Sequence, residues 1–144
     1  MSIADRLFKI KEDKAAANLK VGQEYLAENK KKPGIVELPS GLQYEVITQG
    51  KGPKPTEFNT VSCHYHGTMI DGTVFDSSVQ RGKPTSFPLN MVIKGWTEGL
   101  QLMAKGSKWR FFIPPHLGYG DRQVGPVIGP NSTLIFEVEL IDIN

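Results

Sequence analysis

A chain of 144 residues with a formal net charge of +2 and 39% hydrophobic residues is one domain's worth of ordinary globular sequence. That charge is too small to argue for a nucleic-acid partner. No apolar run approaches the roughly 20 residues of a membrane span, and the single cysteine, Cys63, excludes an intrachain disulfide. The amino-terminal Met-Ser-Ile-Ala-Asp-Arg lacks a signal peptide's apolar core. The chain is therefore expected in the cytoplasm as written, and in the periplasm if a leader was removed.

Residues 1–33 are expected to form a helical segment. Ser2 with Asp5 three positions on resembles a capping box, and no proline interrupts before Pro33. Ile3, Leu7 and Ile10 make one apolar stripe, and Ala15, Leu19 and Leu26 make a second one displaced by a residue. The displacement, near Glu12 and Asp13, predicts a kink or two short helices. The Lys30-Lys31-Lys32 run suits the negative end of a helix dipole. Pro33-Gly34 stops the helix and sets the boundary of a second unit, residues 34–144. The stripes need a partner but run too briefly for a coiled coil, so the segment is expected to be separable and to serve protein contacts.

Beyond the boundary the apolar period becomes two. Leu42, Tyr44 and Val46 alternate with Gln43 and Glu45 as a half-buried strand. Val61 to Ile70 is the clearest strand, with Cys63, Tyr65, Gly67 and Met69 on one face and Ser62, His64, His66 and Thr68 on the other. Asp71-Gly72 reads as a type I′ hairpin turn, returning Thr73 to Ser77 antiparallel. That hairpin can bring Asp76 to the Tyr65 hydroxyl, with Arg81 near enough to balance its charge. His64 and His66 share a face, but lack an acidic or thiol neighbour on it, so no metal site is expected.

Thr85 to Leu89 carries Phe87, and in the stretch Val92 to Met103 the spacing is helical from Trp96 onward, a helix of about three turns ending at Lys105-Gly106, with Trp96, Leu100 and Met103 on one face. Gly95 and Gly99 each cost it about 1 kcal/mol against alanine, so it needs surrounding structure. Ser107 to Ile113 alternates Trp109 and Phe111 with Lys108 and Arg110. Pro114 to Asn131 is a long loop with Leu117, Tyr119, Val127 and Ile128 as exposed-looking bulky residues, and such loops are usually functional or mobile. Thr133 to Asp142 turns Leu134, Phe136, Val138 and Leu140 inward. The body is thus α+β, an antiparallel sheet of five or six strands with a short helix across its apolar face. No catalytic triad, phosphate loop or dinucleotide fingerprint occurs. What converges is a set of aromatic and aliphatic side chains around Trp96, suited to an apolar ligand and needing no cofactor.

Val61-Ser-Cys-His-Tyr-His-Gly67, Asp71-Gly-Thr-Val-Phe-Asp-Ser-Ser78, Val92-Ile-Lys-Gly-Trp-Thr-Glu-Gly99, Gly118-Tyr-Gly120 and Asn131-Ser-Thr-Leu-Ile-Phe-Glu-Val-Glu-Leu140 resemble an FKBP-type peptidyl-prolyl cis/trans isomerase. Leu38-Pro-Ser-Gly-Leu-Gln-Tyr44 and the helix before it are similar to the bacterial macrophage-infectivity-potentiator subgroup. The resemblance implies a half-barrel sheet wrapped around the Trp96 helix. It implies a catalytic set of Tyr65, Asp76, Phe136 and Tyr119, and a substrate pocket lined by Phe75, Phe87, Val92, Ile93, Trp96 and Ile128. Trp96 would lie under the substrate proline, while the Tyr119 hydroxyl and the Ile93 backbone would donate to substrate carbonyls. Expected partners are proline-containing unfolded or partly folded proteins, a macrolide inhibitor in the pocket, and a second copy through the amino-terminal helix. The sequence departs from the family at Thr85, where some members carry a rim aromatic, and in a shorter Leu89–Val92 segment. Only one helical stretch precedes the domain, where the subgroup has a fuller dimerisation module.

Overall fold

The structure, a computed structural model, describes residues 2–144. Helix α1 (Ile3–Asn29) runs unbroken for 27 residues, so the chain does not divide into two short helices near Glu12. Its start is fixed by the expected capping box, in which the Ser2 hydroxyl accepts from Asp5 N–H and the Asp5 carboxylate accepts from Ser2 N–H. Seven strands follow in one antiparallel sheet: β1 (Ile35–Glu37), β2 (Gln43–Thr48), β3 (Thr60–Thr68), β4 (Val74–Ser77), β5 (Thr85–Pro88), β6 (Lys108–Ile113) and β7 (Leu134–Ile143). Their spatial order is β1-β2-β6-β7-β3-β4, with β5 pairing the first half of β3. The additional strand is β1, whose three residues are too few to show a period.

Alternation in β3 holds residue by residue, with Val61, Cys63, Tyr65 and Gly67 buried. Burial pushes the Cys63 thiol up to about 12, so it stays protonated and inert. The β3–β4 hairpin forms, but not through a type I′ turn. Gly72 alone of the pair has positive φ (89°), and its N–H donates to Met69 C=O at 3.0 Å. Such a turn closed by one left-handed glycine is the three-residue loop, and the β3–β4 register shifts beside it.

Two short helices complete the domain: α2 (Ser78–Arg81) and α3 (Lys94–Leu100). At seven residues α3 is shorter than expected: it begins two residues before Trp96 but ends at Leu100, short of Lys105-Gly106, and the chain passes into turns from Gln101. Its two glycines explain why it forms at all. A Cβ on Gly95 would sit 2.9 Å from Ile113 Cγ2, and one on Gly99 would sit 2.5 Å from Phe111 Cε1. Their absence lets α3 lie directly on β6, burying Trp96 and Leu100 in the core. The apolar layer inside the sheet's curve is Leu42, Val61, Phe111, Ile113, Leu134, Val138 and Leu140, all fully buried.

The second half of α1 covers the sheet's other face. Gln43, placed outward by alternation, is completely buried: its Oε1 accepts from Asn29 Nδ2 (2.8 Å), and its Nε2 donates to Leu26 C=O (2.9 Å) and to Glu37 (3.0 Å). Phe112 is buried on the same face against the Tyr25 ring, 6.3 Å away. The protected helix positions are Ala15, Asn18, Gly22, Tyr25, Leu26 and Asn29; of the expected second stripe Ala15 and Leu26 are among them, and Leu19 is exposed. The first stripe is solvated throughout, with Ile3, Leu7 and Ile10 at 62–76% exposure.

Candidate functional site

The candidate site is built on α3. Trp96 is carried one turn into that helix, whose N-cap, Ile93, accepts from Trp96 N–H (3.0 Å) and Thr97 N–H (3.1 Å). The indole is 4% exposed and meets three rings edge-on: Phe87 from β5 and Phe136 from β7 at 5.3 Å, and Tyr65 from β3 at 5.4 Å. Phe75 from β4 stands edge-on to Phe136 at 5.2 Å. Edge-to-face contacts of this kind add about 0.5–1.5 kcal/mol each beyond area burial, so five rings from five elements hold one another in place.

Above the indole opens a cavity of about 510 Å³. All ten residues named from the sequence line it: Tyr65, Phe75, Asp76, Phe87, Val92, Ile93, Trp96, Tyr119, Ile128 and Phe136. Sequence reasoning passed over Val74, Met91 and the loop wall around Val124 and Pro126. The loop wall had a signal in the length of Pro114–Asn131. Contrary to expectation, Leu117 and Ile128 in that loop are buried: Leu117 ends a 3-10 turn (Pro115–Leu117) and joins the core, and a Val124–Ile128 bridge folds the tip back onto the pocket. Thr85 is not in the wall; it starts β5 and accepts from Arg81 Nη2 at 3.2 Å.

One polar cluster interrupts the apolar wall. The Tyr65 hydroxyl donates to Asp76 Oδ2 (2.7 Å) and accepts from Arg81 Nη2 (2.9 Å), while Arg81 Nη1 pairs with Asp76 Oδ1. Arg81 reaches there because α2 is capped at both ends, by the Ser77 hydroxyl accepting from Gln80 N–H and by left-handed Gly82. Partial burial pushes the Asp76 carboxyl up, but the Tyr65 hydrogen bond and the Arg81 hydrogen bond and charge outweigh it and hold the group below its ordinary range. Burial raises the Tyr65 phenol, with Arg81 opposing and Asp76 adding to the rise. Burial, then the Asp76 charge, likewise raises Tyr119. Near neutral pH the site therefore holds a fixed carboxylate–guanidinium pair and two protonated phenols. It has no group tuned to exchange protons there.

Among the described residues, neither the Tyr119 hydroxyl nor the Ile93 N–H has a protein acceptor, so both can donate to a ligand. His64 and His66 lie on the opposite sheet face, each with Nδ1 2.9 Å from a serine hydroxyl, Ser78 and Ser77 respectively. Acidic neighbours do exist there, since His64 pairs across to Glu139 and His66 to Glu137, correcting the expectation of none. Among the described residues no three potential ligands are placed to hold a metal.

A sequence model described as "FKBP-type peptidyl-prolyl cis-trans isomerase" matches residues 51–141, and one for the domain amino-terminal to such isomerases matches residues 1–46. The chain belongs to the FKBP-type peptidyl-prolyl cis-trans isomerase family. It is 55% identical to the outer membrane protein MIP of Legionella longbeachae, over 90% of this chain and 56% of that protein. It is 54% identical to the FKBP-type isomerase FkpA of Aeromonas hydrophila, over 96% of this chain and 52% of the relative. The chain thus spans about half the length of these two relatives, whereas a 22 kDa FKBP-type isomerase of Escherichia coli K12 (50% identical) is covered to 68%. The crystal structure of Escherichia coli FkpA superposes with a TM-score of 0.91 at 47% identity, covering 94% of this chain and 63% of that one. The FKBP fold and the likeness to Mip relatives expected from the sequence are both found. Among the described residues no helix is long and apolar enough to cross a membrane.

Proposed function

We propose that the chain accelerates cis/trans isomerisation of X–Pro bonds in unfolded or partly folded proteins, using residues 34–144 as the isomerase domain. The observation that carries this reading is the Trp96 floor, with three rings edge-on to it and a cavity above whose only charged lining residue is a carboxylate already paired. A proline ring matches such a floor in size and polarity. The Tyr119 hydroxyl and Ile93 N–H hold the flanking carbonyls, and the Asp76–Arg81 pair locks Tyr65 upright beside the ring.

Amide rotation is slow because resonance is lost as the bond twists, a barrier of about 18–20 kcal/mol. The planar amide is the more charge-separated form. An apolar wall therefore penalises the ground state more than the twisted transition state, which is catalysis by differential binding. A thousandfold acceleration requires only about 4 kcal/mol. No proton transfer is needed, in keeping with the pKa directions at the site.

In this reading residues 1–33 are a helical segment serving protein contacts, either with client chains or with a second copy, through the solvated Ile3, Leu7, Phe8 and Ile10. A macrolide inhibitor is a candidate occupant of the pocket. The test is an isomerisation assay on a proline-containing peptide. Acceleration over the uncatalysed rate, lost when a pocket ligand is added, supports the proposal. Peptide binding with no acceleration would make the protein a binding module instead.

A further inference from the structure

The pocket's loop wall is held from outside the domain. Tyr119, Val124, Val127 and Ile128 all come from the segment between β6 and β7. Within it most bonds close local turns: Leu117 N–H donates to Pro114 C=O, Gly118 and Gly120 N–H to Pro115 C=O, Arg122 N–H to Tyr119 C=O and Gln123 Nε2 to Gly125 C=O. The Val124–Ile128 bridge (2.8 and 3.3 Å) closes the tip, and the Ser132 hydroxyl donates to Gly129 C=O, while Asn131 N–H to Gly120 C=O (2.8 Å) spans the neck. Local turns alone do not fix where such a loop sits, and one held across its span by a single neck bond opens at low free energy unless something else fixes it.

That something is α1. Asn18 Nδ2 donates to Pro130 C=O at 2.9 Å, and Asn131 Nδ2 donates back to Ala15 C=O at 3.4 Å. Asn131 is the one non-glycine described residue with positive φ (56°), a conformation that asparagine tolerates better than most. Two glycines let helix and loop touch. A Cβ on Gly129 would lie 3.0 Å from Asn18 Nδ2 and 3.1 Å from Lys14 Cε, and one on Gly22 would collide with the Thr133 hydroxyl. Helix residues from Lys14 to Gly22 thus clasp Gly129–Thr133, directly after the pocket residue Ile128.

We infer that Asn18 and Gly22 are positioning residues for the isomerase pocket: by anchoring Gly129–Thr133 they hold the Tyr119–Ile128 wall in its substrate-competent place. The inference rests on the isomerase reading for its kinetic consequence, though not for its structural one. If the anchor fails, the wall spends part of its time open, and apparent substrate affinity falls by the fraction still competent. Saturating substrate repopulates the closed wall, so KM should move and kcat should not. Coupling is reciprocal: a ligand in the pocket must tighten α1 on the domain, and a partner that pulls α1 away must weaken substrate binding. Contacts made by the amino-terminal arm thereby become a control on the pocket.

The test uses the full chain with Asn18→Ala, Gly22→Ala, Thr133→Ala and the pair Gly22→Ala/Thr133→Ala, read by KM, kcat and amide exchange at Val124 and Ile128. Asn18→Ala, losing one hydrogen bond, should raise KM about two- to tenfold with kcat little changed. It should also speed exchange at both amides. Gly22→Ala should do the same. Thr133→Ala removes a buried hydroxyl that has no partner and should behave as wild type. In the pair, the colliding oxygen is gone, so KM and exchange should return toward wild type. Unchanged KM and unchanged exchange in both Asn18→Ala and Gly22→Ala would overturn the inference. So would a loss of kcat at constant KM. If the wild-type chain proves not to be an isomerase, the exchange readout alone still decides whether α1 anchors the wall.

Discussion

Gly99→Ala separates local propensity from packing. Alanine is favoured over glycine inside a helix by about 1 kcal/mol, so the sequence of α3 taken alone says the change should stabilise. The structure reverses the sign. The added methyl would lie 2.5 Å from Phe111 Cε1 and 2.8 Å from Cζ, about 1 Å inside the ordinary carbon–carbon contact of roughly 3.5–4.0 Å. The Phe111 ring cannot give way, because it is fully buried with Trp109 at 6.0 Å and α3 above it. Overpacking of this kind costs about 1–3 kcal/mol. A rigid ring argues for the upper end, leaving a net loss of about 2 kcal/mol. For a chain of this size that lowers Tm by about 4–8 °C. Urea denaturation should show a lower midpoint with unchanged slope. Because α3 carries Trp96, kcat/KM on a proline peptide should fall as well. Phe111→Leu in the Gly99→Ala background should recover part of the stability. A Gly99→Ala protein as stable as wild type, or more so, would mean that α3 is not pressed onto β6 and that the account of the pocket floor is mistaken.

Two further changes probe the site. Trp96→Ala should cost about 3–5 kcal/mol of stability as a core aromatic truncation; Trp96→Leu, which keeps more of the volume, should fold yet lose about tenfold or more in kcat/KM, and wild-type activity in it would remove Trp96 from the site. Asp76→Ala should lower kcat/KM while leaving the fold largely intact, since it frees Tyr65 and Arg81 at a half-exposed position. Asp76 also carries a sign for stability against pH. Its folded pKa lies below the unfolded value of about 3.9, so its stabilisation is fully present above that value and disappears as pH falls through the folded one. Asp76→Asn should lower stability by a constant amount above about pH 5 and flatten the acid limb of a denaturation series, so that the two proteins converge as pH falls; an identical acid limb would show that the pairing with Arg81 contributes no net stability.

Most of the sheet could be read from the sequence, because strands with one buried face announce themselves by a period of two. Leu134, Phe136, Val138 and Leu140 are the plainest case. The ten proposed pocket residues came instead from the family resemblance of the motifs that carry them. The helical dock was not legible, for a physical reason. The face of α1 that meets the domain is made of Ala15, Asn18, Gly22, Tyr25 and Asn29, at spacings of three and four. Apart from Tyr25, these are small or amide side chains that seal by close approach and hydrogen bonding instead of apolar area. The apolar stripe shares Ala15 and Leu26 with the docked face but runs through the exposed Leu19. Gln43 and Phe112 then looked outward-facing because nothing in their own strands records what covers them. The turn at Gly72 was misassigned because Asp-Gly serves two hairpin types, and which forms depends on the register of β3 against β4. The end of α3 was set too late because Leu102 and Met103 continue the apolar spacing after the backbone has left the helix.

The central claim is that the pocket turns an X–Pro amide by its apolar shape alone, without acid or base. The most direct measurement is kcat/KM of the full chain on a short proline peptide between about pH 6 and 8. Acceleration with a nearly flat profile is expected, since Tyr65 and Tyr119 stay protonated and Asp76 stays ionised throughout that range. No acceleration over the uncatalysed relaxation of roughly 10–100 s, or a steep titration near pH 6.5 pointing to His64, His66 or His116, would contradict it.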